Sequence, residues 1–245
     1  MKNIFYILLF LISLNGFAQN FSPDEQHQID SLNAIINNPN SHDTSLAGAY
    51  VALSEMLYTI NLDTLKPLNE NAIEIAEQVL SNKPTAMVKG RILTIFGEAL
   101  NNLGVVYDRK FDYLKAIEYY HKSLKIKEYL GVKEHLAVTY DNIGYSYYLG
   151  GDISKALEYL HKALKIRDKI GDKKELAITY SKIASIYRNQ GDLINAKKFY
   201  LSSLEIREKV GDKKGIGISL NSIGIIYKIQ GDIPKALSFF QKSLT

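Results

Sequence analysis

The sequence contains no cysteine. That absence excludes disulfides, thiolate zinc sites, iron–sulfur clusters, cysteine nucleophiles and a lipid-modified N-terminal cysteine, while leaving the redox compartment open. Proline is scarce, with five in 245 residues, which leaves room for long helices. A surplus of one charge is missing too. Thirty Lys+Arg against 26 Asp+Glu give a net charge of +4, too small and too mixed to mark a nucleic-acid or acidic-membrane surface. Beyond the N-terminus no run is apolar for long enough to cross a bilayer. There is no glycine-rich phosphate loop, HExxH, nucleophile elbow or paired-carboxylate motif, so no catalytic residue, metal ligand or cofactor is assigned. What is present, 46% hydrophobic and 23% charged residues, is the composition of a chain that folds.

The one long apolar run, Ile4 to Leu14, follows Lys2 and precedes the small residues Gly16 and Ala18. As a helix it would rise about 16 Å, short of the roughly 30 Å hydrocarbon core, and its apolar residues are continuous instead of spaced by three and four. Residues 1–18 therefore read as a secretory signal peptide with cleavage near Ala18. The expected location is outside the cytoplasm, periplasmic or secreted.

Residues 19–42 read as a linker with a short helix, capped by Ser22 with Pro23 in its first turn and carrying Ile29, Leu32, Ile35 and Ile36. Asn38 to Asn40 break it. Residues 43–96 read as a degenerate helical pair, with Asp43 capping one helix and Asp63 or Thr64 capping the next, which ends near Ser81 to Pro84.

From residue 97 the chain repeats itself. Residues 137–176 laid on 177–216 without a gap share sixteen of forty positions. Gly151-Asp152, Gly191-Asp192 and Gly231-Asp232 recur forty apart, and Gly171-Asp172 recurs at Gly211-Asp212. A glycine can take the left-handed conformation that ends one helix, and an aspartate can accept the backbone N–H groups that begin the next. The unit is thus helix, turn, helix, turn. Its first helix carries Gly104, Gly144, Ala184 and Gly224, followed three residues on by Tyr107, Tyr147, Tyr187 and Tyr227. Its second carries Ala116, Ala156, Ala196 and Ala236, followed one turn on by Tyr120, Leu160, Tyr200 and Phe240. Small residues let two helices cross closely and large neighbours fill the gap beside them, so the pattern specifies tight helical hairpins.

A small residue, a tyrosine, an alanine and an aromatic at these spacings resemble the tetratricopeptide repeat (TPR) family. The resemblance covers residues 97–245 as four repeats, the last incomplete, and 43–96 weakly. It implies an all-α, right-handed superhelical solenoid of antiparallel helix pairs. The period of forty departs from the usual thirty-four, and Phe111 stands where later units have glycine. Longer units of this kind look like those of exported bacterial signalling proteins, where the repeats precede a membrane span and a histidine-kinase module. Thr245 falls inside a second helix, so the sequence is expected to continue. The resemblance thus implies a non-catalytic, exported scaffold or, alternatively, the sensory region of a membrane-bound signalling protein whose output domain and anchor follow.

The family also implies that a protein or peptide segment binds in the concave groove lined by the first helices. Positions one past the core stripe, each set spaced i, i+4, i+7, i+8, are the candidates. They are Asn101, Val105, Asp108 and Arg109; Asp141, Tyr145, Tyr148 and Leu149; Ser181, Ser185, Arg188 and Asn189; Asn221, Ile225, Lys228 and Ile229. Asn, Asp and Ser can hydrogen-bond a peptide backbone, and tyrosine offers a flat apolar face with a polar tip. The second-helix lysines, among them Lys115, Lys122, Lys125, Lys127, Lys155, Lys162 and Lys165, read as a solvated face, with Glu118–Lys122 and Glu158–Lys162 paired four apart. No nucleic acid is expected as a partner. His121 and His161, one unit apart, read as solvated rather than as metal ligands.

Overall fold

The computed structural model describes residues 21–58 and 62–244, so the proposed signal peptide lies outside the described residues. Among these the regular elements are eleven α-helices: α1 Pro23–Asn37, α2 Asp43–Met56, α3 Leu62–Ser81, α4 Ala86–Arg109, α5 Tyr113–Leu130, α6 Lys133–Leu149, α7 Ile153–Ile170, α8 Lys173–Asn189, α9 Leu193–Val210, α10 Lys213–Ile229 and α11 Ile233–Ser243. None of them is long and apolar enough to cross a membrane. The chain divides into two compact units, residues 1–130 holding α1–α5 and residues 131–245 holding α6–α11.

The turns form as the glycine–aspartate markers require. Gly151, Gly171, Gly191, Gly211 and Gly231 all have φ between +71° and +89°. In each case the following aspartate accepts the backbone N–H three residues on: Asp152 from Lys155, Asp172 from Glu175, Asp192 from Asn195, Asp212 from Gly215 and Asp232 from Lys235, at 2.9–3.2 Å. Phe111 holds the same left-handed position with φ +62° and a ring that is mostly exposed. The backbone geometry of the turn is therefore imposed by the flanking helices even where the residue disfavours it.

The N-terminal helices follow the expected pattern with three corrections. Ser22 caps α1 in a full capping box with Glu25, and Pro23 occupies the first turn. Asp43, by contrast, is the first residue of α2 and not its cap; His42 precedes it without a side-chain bond. Asp63 and Thr64 lie inside the first turn of α3, which opens at Leu62. The boundary drawn between 96 and 97 falls inside α4, a single 24-residue helix whose cap is Thr85. The repeat pattern becomes legible only where α4 meets α5.

Helix α6 starts differently from its equivalents: its cap position is Val132, which makes no side-chain bond, whereas Asp172 and Asp212 cap α8 and α10. A Val132→Asp variant supplies the missing acceptor and places a carboxylate at the helix N-terminus. We expect it to stabilise residues 131–245 by about 0.5–2 kcal/mol, read as a higher urea midpoint at unchanged slope.

Helix pairs close where the sequence placed its small residues. Ala116, Ala156, Ala196 and Ala236 are buried against the facing helix. A Cβ added at Gly104 would stand 2.4 Å from the Tyr120 ring, one at Gly224 2.6 Å from the Phe240 ring, and one at Gly144 2.9 Å from Leu160 and 3.0 Å from the Ala156 carbonyl oxygen. A second aromatic series joins the first. Tyr107 stacks on Tyr119, Tyr147 on Tyr159, Tyr187 on Phe199 and Tyr227 on Phe239, with centroids 5.3–5.6 Å apart and ring planes within 20°. Lys115, Lys155 and Lys235 lie over the tyrosine rings at 4.4–5.4 Å, so these lysines cover aromatic surface while keeping their charge in water.

Each unit has its own core. In residues 1–130, Ile29 of α1, Leu53 in the last turn of α2 and Leu57 just after it, Leu65 and Leu68 of α3 and Val106 of α4 form one cluster. In residues 131–245, Ala156 and Leu160 of α7 meet Ile183 and Ile186 of α8, while Ala184 of α8 and Ala196, Tyr200 and Leu204 of α9 meet Ile223 and Ile226 of α10. This second cluster brings the first helices α8 and α10 together through the second helix between them.

Candidate functional site

The candidate residues sit on the first helices α4, α6, α8 and α10, at positions offset by one from the buried stripe. What they do there differs from position to position, because several have partners inside the fold.

In residues 1–130, the Tyr120 hydroxyl, one turn beyond Ala116, donates to the Asp108 carboxylate at 2.8 Å. Asp108 thereby satisfies a phenol that is almost fully buried. Arg109 is exposed and turned toward α2's end, donating to the Tyr58 carbonyl at 2.5 Å with its guanidinium 4.2 Å from the Tyr58 ring centroid. Asn101 and Val105, earlier on α4, are half-buried.

In residues 131–245 the largest departure is Asp141. It is buried, 2% exposed, and its carboxylate lies 2.5 Å from a guanidinium nitrogen of Arg167, itself 2% exposed near the end of α7. Lys182 of α8 approaches the same carboxylate at 3.3 Å, and the Thr179 hydroxyl donates to it at 3.3 Å. Arg167 also donates to the Glu175 carbonyl at 3.0 Å and to the Thr179 hydroxyl, and its second nitrogen lies 3.5 Å from the Glu175 carboxylate. Asp141 is thus a structural tie among α6, α7 and α8, not an exposed ligand for a peptide. A buried carboxylate is tolerated because cations and a hydroxyl replace its lost water.

Ser181 and Ser185 are likewise engaged. The Ser181 hydroxyl meets that of Ser203 at 2.9 Å, and Ser185 meets the Tyr200 hydroxyl at 2.7 Å while donating to the Ser181 carbonyl. What remains toward solvent is a mixed strip. Tyr145 is 45% exposed and packs beside Tyr148, with ring centroids 6.2 Å apart. Asn189 of α8 donates to the Tyr148 hydroxyl of α6, so these two first helices lie side by side with Tyr148, Lys182 and Asn189 on a shared face. Leu149 and Ile229 are exposed, as are Asn221 and Lys228; Arg188 and Ile225 are half-buried.

Sequence reasoning missed the cations at 127, 167 and 207. All three are buried, at 2–5% exposure, so Lys127 does not belong to the solvated lysine face. Their common spacing of forty was the available signal. Arg207, with Ser181 where Arg167 has Asp141, donates instead to the Gly215 carbonyl at 2.6 Å and the Ser219 hydroxyl at 3.0 Å. A side chain at Gly215 would meet the side chains of Arg207 and Asp212 as they stand, whereas the preceding repeat accommodates Glu175 beside the equivalent Arg167 and Asp172. Burial lowers the Arg207 pKa, opposed by Asp212.

Lys127 lies near Glu98 and Glu55. Burial brings its ammonium pKa down to about 8, against the pull of both carboxylates, and burial followed by Glu55 pushes Glu98 upward. Below pH 8 folded and unfolded chains both hold the Lys127 proton; between about 8 and the ordinary 10.5 only the unfolded chain does. Stability therefore rises with pH across that window. Measured as the difference from Lys127→Met by urea titration at several pH values, the parent should gain up to about 3 kcal/mol between pH 8 and 10.5. A flat difference would show that Lys127 keeps a normal pKa.

Among the described residues no group of three or more His, Asp or Glu side chains is placed to hold a metal ion. The His161 ring tilts against Phe199 at 6.2 Å.

No curated protein matches the sequence. Among solved structures, BtubC (BKLC) from P. vanneervenii superposes with TM-score 0.72 at 17% identity, covering 90% of this chain and 87% of its own. Aspartyl phosphate phosphatase F from Bacillus subtilis gives 0.65 at 14% identity, covering 82% of this chain and 60% of its own. A signal-transduction ATPase with a tetratricopeptide repeat sensor from Pyrococcus horikoshii gives 0.68 at 16% identity, covering 83% of this chain but only 30% of its own. These likenesses concern the fold, an all-α solenoid of antiparallel helix pairs. The tetratricopeptide repeat model matches residues 96–169 and 175–245, more than half of the sequence, and these are the residues whose small and aromatic positions close the helix pairs: the chain belongs to the tetratricopeptide repeat family.

Proposed function

We propose that the protein is an exported, non-catalytic scaffold that binds a protein or peptide segment in a groove lined by its first helices. Repeats of this family are protein-binding modules. The observation that carries the reading to this chain is the contrast between adjacent positions. Residues 104, 144, 184 and 224 are Gly, Gly, Ala and Gly, fixed by packing, while residues 105, 145, 185 and 225 are Val, Tyr, Ser and Ile. A face on which the helix crossing does not fix residue size, and which varies from repeat to repeat, suits recognition of a nonuniform partner. Export rests on Lys2 and the apolar run to Leu14.

A photo-crosslinking residue placed at Tyr145, and in a second variant at Lys155 on the opposite helix, tests the surface in intact cells. A discrete adduct from position 145 and none from 155 is the expected result; the reverse pattern would reject the groove. Cell fractionation with an intact mass decides the second reading, the sensory region of a membrane-bound signalling protein. That reading is favoured by the likeness to the Pyrococcus horikoshii ATPase, in which the tetratricopeptide repeats are a sensor and of which this chain spans 30%. A species of the mass expected after cleavage near Ala18, recovered outside the membrane, supports the free scaffold. A much larger membrane-bound species supports the sensor.

A further inference from the structure

The outward stripe of the second helices changes character within residues 131–245. On α7 the exposed positions spaced i, i+4, i+7 are Ser154, Glu158 and His161, a polar set in which Glu158 holds Lys162 at 2.6 Å. Forty residues on, α9 carries Ile194, Lys198 and Leu201 at the same positions. Ile194 is 80% exposed and Leu201 45%, so apolar surface and a cation replace a neutralised polar face.

Helix α11 extends this surface. Lys197 of α9 and Lys235 of α11 both lie over the Tyr227 ring of α10, at 5.3 and 5.4 Å from its centroid, which brings the N-terminal halves of α9 and α11 to one ring. Beside Lys235, Ile233 is 50% exposed and Leu237 55%. Residues 193–204 and 233–243 contain no Asp or Glu, and the aspartates that precede them, Asp192 and Asp232, are helix caps. Asp232 also holds Lys235 at 2.7 Å, but neither Lys197 nor Lys198 has a carboxylate within 4 Å among the described residues. The small net charge of +4 for the whole chain conceals this local segregation.

The composition of the patch selects its partner. Protein–protein interfaces are centred on aromatic and arginine side chains and are poor in lysine. Here the exposed apolar residues are aliphatic and the cations are all lysine, while Tyr227 is half-buried and stacked on Phe239. Lysine beside isoleucine and leucine on a helix surface suits a bilayer instead, because long stems let the ammonium groups reach headgroup phosphates while the aliphatic side chains enter the boundary beneath. We propose that the second-helix surface of α9 and α11 adsorbs to an anionic lipid bilayer, with Lys197 and Lys198 meeting headgroup phosphates and Ile194, Leu201 and Leu237 entering the interface. The protein then lies on the membrane and does not span it, as no helix among the described residues can. This surface is distinct from the first helices that carry the groove reading, and the inference stands or falls independently of that reading.

The test is co-sedimentation of the chain from Gln19 onward, which retains every described helix, with two kinds of vesicle: one part phosphatidylglycerol to two parts phosphatidylcholine, and phosphatidylcholine alone. The anionic vesicles should bind it severalfold more tightly than the neutral ones and release it at high salt. Lys197→Gln/Lys198→Gln should weaken binding about tenfold or more, since each lysine near an anionic surface contributes about a factor of five. Ile194→Ser/Leu201→Ser should weaken it severalfold. Lys155→Gln/Lys162→Gln removes the same charge from α7 and should change binding by less than about twofold. Circular dichroism of each variant keeps unfolding separate from lost binding.

An equal loss in the Lys155→Gln/Lys162→Gln variant would mean that net charge alone attracts the protein, and would overturn the assignment. Equal binding to neutral and anionic vesicles, binding unchanged by both α9 variants, or no binding at all would do the same. A photo-crosslinking residue at Ile194 separates the remaining alternative. A lipid adduct is the expected result, whereas a discrete protein adduct in intact cells, without vesicle binding, would make the patch a protein interface and overturn the inference.

Discussion

A Gly144→Leu variant should lose the cooperative unfolding transition of residues 131–245. At Gly144 even a methyl group would lie 2.9 Å from Leu160 and 3.0 Å from the Ala156 carbonyl, and that carbonyl belongs to a helix backbone that cannot step aside alone. Leucine adds three further carbons. To admit them α6 and α7 must separate, which opens the buried contact of Ala156 and moves Leu160 away from Ile183 and Ile186. Overpacking a tight site ordinarily costs about 1–3 kcal/mol; here backbone must move, and we expect at least about 4 kcal/mol, a large part of the stability of a unit this size. Ala156→Leu attacks the same crossing from the other helix and should act alike.

The control has the opposite sign. Gly90, inside α4, has no atom within 4 Å of an added Cβ, so Gly90→Ala should raise stability by about 0.5–1 kcal/mol through helix propensity alone. Circular dichroism during a urea titration reads both. A Gly144→Leu protein as stable as its parent would place the helix crossing elsewhere and undo the repeat register.

The crossing was legible in the sequence because it is a local constraint repeated. A residue that must be small recurs every forty positions, and a turn that needs positive φ recurs as glycine before a capping aspartate. Where the constraint is met without its usual residue the signal fades: Phe111 takes the left-handed turn, and Val132 opens a helix with no side-chain acceptor. The same holds for α4, a 24-residue helix whose first seven residues, from Ala86, precede the point at which the 17-residue first helices of the later units begin. The binding face was less legible for a different reason. Helical spacing assigns a residue to a face, but Asp141, Asp108 and Ser185 have their polar atoms claimed by Arg167, Tyr120 and Tyr200, residues of the following helix. Whether a polar residue faces a partner or a neighbour depends on the length and aim of a second side chain, which spacing along one helix does not contain. The recurrence of Lys127, Arg167 and Arg207 was the clue. A cation retained at one repeat position in register with the apolar stripe of Leu124, Leu164 and Leu204 is explained by burial, and a buried cation needs an acceptor within reach.

That pairing sets the last expected result. Arg167→Met should destabilise residues 131–245 by about 3–5 kcal/mol, because it leaves the Asp141 carboxylate buried with only Lys182 and the Thr179 hydroxyl in place of a guanidinium at 2.5 Å. Asp141→Ser should be milder, about 1–2 kcal/mol. The next repeat shows why: there Ser181 stands in for Asp141, and Arg207 is held by the Gly215 carbonyl and the Ser219 hydroxyl. Arg167 has the corresponding acceptors already, the Glu175 carbonyl at 3.0 Å and the Thr179 hydroxyl, together with the Glu175 carboxylate at 3.5 Å. Removing the acid leaves the arginine partnered; removing the arginine strands the acid. The double variant Asp141→Ser/Arg167→Met should then fall well short of the summed losses, since the stranded charge is gone. Urea midpoints for the three variants decide the matter. An Arg167→Met protein within about 0.5 kcal/mol of its parent would mean that the pair is not buried as described. Loss of peptide binding by Asp141→Ser with no loss of stability would return Asp141 to the binding face, where helical spacing first placed it.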